Sequence, residues 1–329
     1  MRQKLLACAA LGVTLMFSGG AWGARCLFVS SYHKGYEWND GIEQGIKSVL
    51  KGECDLVQFD MDTKRNTGVD FAQRQGLEAK RLIETFKPDV VIVSDDNASR
   101  YLVKPYFKDS PIPFVFCGVN WTVAEYGYPY RNATGMIEVA PIKPLLSAVR
   151  ETLKSVKTAV YLSSDVETEY VDSRHYHDVL AANGIEMKRV LVKKLADWQK
   201  AYVAAQSADF IILGNDAGIA DWNQEEAARF ALQHARKLTV SNYDWMVRYA
   251  MLAMTKIPFE QGEWSARVAL QILGGATPAS IPITPNRRWD IYVNPALLSR
   301  ADIQLPAHLL RKAVKPVELA PSQAARPQL

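Results

Sequence analysis

Ser30-Ser31-Tyr32-His33-Lys34-Gly35-Tyr36-Glu37-Trp38-Asn39-Asp40-Gly41 joins the apolar run Cys26–Val29 to a segment in which Ile42, Ile46, Val49 and Leu50 recur at helical spacing. Those four side chains share one helix face. Asp40, followed three residues on by Glu43, has the spacing of a capping box and predicts the helix start there. What lies between is a strand-to-helix turn rich in hydroxyl, aromatic and charged groups. In an open α/β sheet such turns lie at the carboxyl edge of the strands, where small ligands meet helix N-termini.

The pattern repeats along the chain. Cys54–Phe59 reads as a second strand, Phe71–Phe86 as an amphipathic helix with Ala79, Leu82, Ile83 and Phe86 on one face, and Val90–Val93 as a strand covered on both sides. That strand ends in Ser94-Asp95-Asp96-Asn97; Phe114–Cys117 ends in Gly118-Val119-Asn120-Trp121. Thr134–Val139 is a further short extended piece, and Pro141 and Pro144 open a helix. The alternation then restarts with strands Thr158–Leu162, Met187–Val192, Phe210–Leu213 and Leu238–Ser241, and helices Tyr170–Ala182, Asp197–Gln206 (Asp197 as cap) and Trp222–Arg236. Its polar strand ends are Ser163-Ser164-Asp165, Gly214-Asn215-Asp216 and Asn242-Tyr243-Asp244. Alternating strands and helices predict an α/β fold of two doubly wound parallel-sheet lobes with a cleft between them. The remainder predicts a helix over Glu260–Leu273 stopped by Gly274-Gly275, a strand over Trp289–Val293, and a short helix near Pro306–Ala313.

Arg2 and Lys4 before the apolar run Leu5–Phe17, with Ala21-Trp22-Gly23 as a small-x-small cleavage site, predict a secretory signal peptide over residues 1–23. The run is too short to be a spanning helix, and Arg25 before Cys26 does not suit a lipid anchor. The expectation is a periplasmic protein that is not membrane-anchored, with a disordered Pro-rich tail over 316–329. Without the leader, basic residues fall from 39 to 37 against 35 acidic ones, which gives no electrostatic reason to expect nucleic acid or an anionic membrane surface. Cys26 and Cys54 open neighbouring strands, and an exported protein leaves two readings open, a disulfide or two buried thiols. Cys117 lies inside an apolar strand.

Catalysis finds little footing. No Gly-Lys pair, G-x-G-x-x-G, G-x-S-x-G or H-E-x-x-H occurs, and His175-x-His177 in a helix puts the rings on different faces, against a shared metal. The expectation is a protein that is no enzyme, with no cofactor and no metal.

Glu260-Gln261-Gly262-Glu263-Trp264-Ser265-Ala266-Arg267-Val268-Ala269, Leu273-Gly274-Gly275-Ala276-Thr277-Pro278-Ala279-Ser280-Ile281-Pro282-Ile283, Trp289-Asp290-Ile291-Tyr292-Val293-Asn294 and Leu305-Pro306 occur in that order. In this the chain resembles the substrate-binding proteins of the ABC-transporter group that includes the tryptophan- and tyrosine-binding lipoproteins. The resemblance implies a type I periplasmic-binding fold with three crossovers, near Glu138–Pro141, Thr255–Pro258 and Pro282–Trp289. It implies one lobe of residues 24–138 plus 257–315 and another of 139–256. It also implies a small amino-acid-like or aromatic ligand, an inner-membrane permease as partner, and hinge closure on the ligand. The aromatic opening turn is similar to those of family members beside membrane histidine kinases or diguanylate cyclases, so a ligand-binding sensor partner is the alternative.

A cleft for a small zwitterion or carboxylate needs hydrogen-bond donors, a carboxylate for any ammonium group and aromatic walls. Candidate donors are Ser31, Ser94, Asn97, Ser163 and Ser164, with Asn120 and Asn215 in the same turns. Candidate partners for a cation are Asp95, Asp96, Asp165, Asp216 and Asp244; candidate walls are Tyr32, Tyr36, Trp38, Trp121 and Tyr243. The bland reading of each Ser, Asn or Asp is a helix N-cap, worth about 1 kcal/mol.

Overall fold

The structure, a computed structural model, describes residues 23–314. The expected leader, apart from Gly23, and the expected tail over 316–329 lie outside the described residues.

The first sheet is built from β1 (Ala24–Ser30), β2 (Cys54–Asp60), β3 (Val90–Ser94), β4 (Phe114–Asn120) and β5 (Ala133–Glu138). The order is β2-β1-β3-β4-β5, all parallel. Helices α1 (Glu37–Leu50) and α2 (Val69–Phe86) make the first two crossovers; α3 (Asp95–Ala98), a π turn over Ser99–Val103 and α4 (Lys104–Tyr106) make the third. Every residue of β3 is buried, which is why it reads as an unbroken apolar run. The order reverses direction between β1 and β3, so their carboxyl ends, Ser30 and Ser94, flank the crevice where open α/β sheets bind ligands.

The second sheet repeats the plan. It contains β6 (Thr158–Ser164), β7 (Glu186–Val192), β8 (Phe210–Leu213), β9 (Leu238–Ser241) and β10 (Leu252–Lys256) in the order β7-β6-β8-β9-β10. It is reached through α5 (Ile142–Leu153) and wrapped by α6 (Glu167–Ala181), α7 (Leu195–Ala205) and α8 (Gln224–His234). The chain then returns to the first sheet as α9 (Pro258–Leu273), which packs on α1.

That packing is close because both helices are notched. A Cβ on Gly45 would stand 2.3 Å from Phe259 O, and one on Gly262 2.0 Å from Ile42 O. No side chain fits there, so the backbones meet directly. Strand β11 (Thr284–Pro285) then adds to β5.

Three expectations need correction. Residues 257–315 do not all join the first sheet: β12 (Trp289–Val293) pairs antiparallel with β10, and α10 (Pro295–Ala301) and α11 (Ala307–Lys312) bring Leu297, Leu298 and Leu309 into the second core. The edge strand β10 needs a partner for its open side, and the last strand supplies it. Helix α1 begins at Glu37, a turn before the capping box, and Asp40 accepts the Gly35 N–H at 2.9 Å. Helix α7 begins at Leu195, so Asp197 lies in its first turn and not at its cap.

Cys26 and Cys54 are joined by a disulfide across β1 and β2, Cα to Cα 6.0 Å. Cys117 is free and buried, and burial pushes its thiol far up. The chain passes between the sheets at three places, after Glu138, after Lys256 and between Pro285 and Trp289.

Candidate functional site

The carboxyl edges of the two sheets face each other, and what fills the space between them is acidic and aromatic. In the first lobe, β3 ends at Ser94 and Asp95 takes a left-handed backbone, φ 67°. Gly118, also at positive φ, leaves room for its carboxylate: a Cβ there would stand 2.8 Å from Asp95 Oδ1. The Trp38 indole N–H donates to Oδ1 at 3.0 Å. Oδ2 is buried and makes no well-formed hydrogen bond among the described residues. Burial pushes the Asp95 carboxyl well above the ordinary range, Glu138 and Asp96 add to this, and the Trp38 bond opposes it. Asp96 next door accepts from Asn120 Nδ2 and the Tyr126 hydroxyl, each at 2.7 Å.

In the second lobe the acidic group stands on α6. Glu169 is wholly buried at the end of β6. Its Oε2 accepts from the Tyr161 hydroxyl (2.8 Å), the Ser163 hydroxyl and the Asn215 backbone N–H (3.0 Å). One turn on, Asp172 Oδ1 accepts the Trp121 indole N–H at 2.9 Å. The Tyr243 hydroxyl stands 3.1 Å from Glu169 Oε1 and 3.0 Å from Asp172 Oδ2. A phenol has one proton, so it donates to only one of them at a time. Burial raises the Glu169 carboxyl, and its hydrogen bonds only partly offset that.

Trp121 and Lys256 tie the lobes together. Trp121, at the end of β4, crosses to α6: besides its bond to Asp172, its ring stacks on His175 with centroids 3.8 Å apart and planes 12° off parallel. At the hinge, Lys256 from β10 is paired with Glu138 from β5 and sits 5.6 Å above the Trp38 ring. Burial pulls the Lys256 ammonium down, but Glu138, then Asp172 and Asp95, more than compensate, so it stays charged.

The sequence candidates sort as follows. Trp38, Asp95, Asp96, Asn120, Trp121, Ser163, Asn215 and Tyr243 come together around the interlobe space through the bonds above. Ser31 is a backbone brace: its Oγ donates to Ser94 O at 2.6 Å and accepts the Ala98 N–H at 2.8 Å. Asn97 donates to Thr63 Oγ1 at 2.8 Å. Ser94 and Ser164 are buried; the Ser164 hydroxyl has no partner among the described residues, and the Ser94 hydroxyl lies beside the Asp95 carboxyl. Tyr32 and Tyr36 meet edge to face and bracket the Lys64 ammonium at 5.4 and 5.2 Å. Three aspartates of the second lobe stand apart from the cluster: Asp165 pairs with Lys193 at 3.4 Å, Asp216 accepts the Trp245 indole N–H, and exposed Asp244 caps Trp245.

Sequence reasoning missed Glu138, Glu169, Asp172, His175 and Lys256. The signal was present for three of them, since Glu169, Asp172 and His175 are spaced i, i+3, i+6 along α6 and face the cleft. Among the described residues, no three His, Cys, Asp or Glu side chains are arranged to hold a metal ion, and no helix is long and apolar enough to cross a membrane.

Residues 29–317 match the family described as ABC transporter substrate binding protein. The chain belongs to that family of non-enzymatic, small-ligand-binding proteins, which work with a membrane permease. Its fold is the type I periplasmic-binding fold. A conserved domain protein from Vibrio cholerae is similar in structure (19% identity, TM-score 0.58, covering 88% of this chain and 98% of that one). So is the ABC domain from Streptococcus pneumoniae in complex with L-Trp (15%, 0.56, 88% and 99%). A third is the ligand-free, open form of a substrate-binding protein with adhesive properties from Clostridium difficile (13%, 0.71, 89% and 100%). At these identities the likeness carries the fold. No curated protein matches the chain.

Proposed function

We propose that the chain is exported to the periplasm, captures a small molecule between its lobes and delivers it to an ABC importer. The observation that carries this is the meeting of two strand-end crevices across one space, bridged by the Trp121 bond to Asp172 and the Trp121 stack on His175. A contact formed only when the lobes approach adds to the closed form, and a ligand with extra affinity for that form shifts the balance further. Ligand contacts fall to Trp38, Asp95, Asp96 and Asn120 from one lobe, and to Asp172, His175 and Tyr243 from the other, with Trp121 closing over. No group in the cluster is set up as a nucleophile with a base, so capture and release is the chemistry the geometry offers.

A thermal-shift screen of residues 24–329 against amino acids, small carboxylates, nucleobases and amines tests this. A true ligand at a hundred times its dissociation constant adds about 3 kcal/mol and raises the midpoint by several degrees. No shift across the set, with no compaction in a metabolite extract, would overturn solute capture.

A further inference from the structure

The carboxylates of the cleft differ from those of the surface in what holds them. On the surface, Asp62 has Arg65, and Glu263 has Arg267 and Arg288. In the cleft, Asp95, Asp96, Glu169 and Asp172 accept hydrogen bonds only from uncharged groups: indoles, phenols, an amide, a serine and a backbone N–H. Neutral donors satisfy lone pairs but leave the charge in place, and a buried charge without a counter-charge is costly. The nearby ammonium, Lys256, is already matched one to one by Glu138. Yet its field reaches Asp95 and Asp172, which lie in opposite lobes, so the acidic groups form one cluster across the cleft.

A separate sign is Asp95 Oδ2. It is 1% exposed, makes no well-formed hydrogen bond among the described residues although the Ser94 hydroxyl lies close enough to ease its charge, and belongs to a carboxylate whose charge is felt by Tyr32, Cys117 and Lys256. Buried acceptors are satisfied as a rule, and an orphan one in a binding cleft marks a place where a donor belongs. A metal is a poor fit, because no three ligating side chains converge among the described residues. An organic ammonium suits the site better, because it offers several N–H donors, spreads its charge over a cluster without demanding fixed coordination, and is held by aromatic faces. Trp38, Trp121 and Tyr243 provide those faces.

Resting on the reading of the cleft as the ligand site, we infer that its ligand is an organic amine, a cation at neutral pH, whose ammonium group lies among Asp95, Asp96 and Asp172. An amino-acid zwitterion also brings a carboxylate, for which the cluster itself offers no charge partner because Lys256 is matched by Glu138, and an acid brings only that.

Two series matched in skeleton and graded in charge test the inference by calorimetry on residues 24–329. One is tryptamine, L-tryptophan and indole-3-acetate; the other is 1,4-diaminobutane, 4-aminobutanoate and butanedioate. In a series that binds, the amine is expected to bind at least about tenfold tighter than its zwitterion or acid. Asp95→Asn and Asp172→Asn, with folding checked by circular dichroism, should each shrink that preference several-fold. A zwitterion or acid binding as tightly as the amine, or a preference unchanged in both variants, overturns the amine and leaves solute capture standing. Silence from all six also overturns it, and solute capture is then judged by the wider thermal-shift screen alone.

Discussion

The two sheets have the same strand order and bring the same kind of turn to the same place, yet they treat their buried carboxylate differently. In the second lobe Glu169 is saturated, with Tyr161, Ser163, the Asn215 backbone and Tyr243 all directed at it. In the first, Asp95 holds one indole N–H and leaves an oxygen unused, on a backbone in the left-handed region. One carboxylate is built into the lobe and organises a loop, a strand end and a helix. The other is held in an unfavourable environment by its surroundings, as binding groups often are. The symmetry of the fold does not extend to the division of labour.

The largest effect should come from breaking the saturated side. Glu169→Ala strands the Tyr161 hydroxyl and the Asn215 backbone N–H in the interior, while Ser163 keeps the Asn215 carbonyl and Tyr243 keeps Asp172, and should cost about 3 kcal/mol in denaturant unfolding. A change below about 1 kcal/mol would make Glu169 as dispensable as its counterpart. Asp95→Asn should go the other way. Burial raises the folded carboxyl above its unfolded value near ~3.9, so the native state holds the proton more tightly, and stability falls as pH rises from the unfolded value towards the folded one. The Asn variant lacks this penalty: its ligand-free thermal midpoint should exceed the native one at pH 7, and the gain should vanish near pH ~4. A lower midpoint at pH 7 would mean that Asp95 supports the fold.

Between the lobes, Trp121→Phe keeps a ring for His175 but loses the N–H donated to Asp172. Losing one hydrogen bond to a carboxylate from the closed form, worth about 1–1.5 kcal/mol, should weaken ligand binding roughly tenfold with little change in unfolding free energy. Equal affinity would remove Trp121 from the closure. The smallest effect belongs to Asp165, whose pair with a well-exposed Lys193 is worth under about 0.5 kcal/mol. Asp165→Asn should leave affinity and stability alike, and a tenfold loss of affinity would return it to the site.

Much of the fold was legible because apolar runs such as Val90–Val93 and Phe210–Leu213 can only be central strands, and the polar turns after them mark one sheet edge. What stayed hidden was partnership. Alternation in Trp289–Val293 announces a strand but says nothing about which sheet has an open edge, so residues 289–314 were expected in the wrong lobe. Leu252–Lys256, with Ala, Met and Lys among its five residues, carries no strand signature and is shaped by its neighbours. In the site, the strand-end turns pointed to Trp38, Asp95, Asp96 and Trp121, whose side chains the fold links by hydrogen bonds at the ends of the strands. Glu169 and Asp172 escaped because acidic residues in the first turns of a helix are ordinary. Glu138 and Lys256 meet across 118 residues of sequence, a pairing that only the folded hinge creates.

Small-angle scattering on residues 24–329, without and with a saturating concentration of the strongest binder found by thermal shift, tests two-lobed capture most directly. The account predicts a smaller radius of gyration with ligand, and a smaller change in Trp121→Phe at the same ligand concentration. An unchanged profile at saturation would contradict it, because a ligand that binds without drawing the lobes together is not held between them.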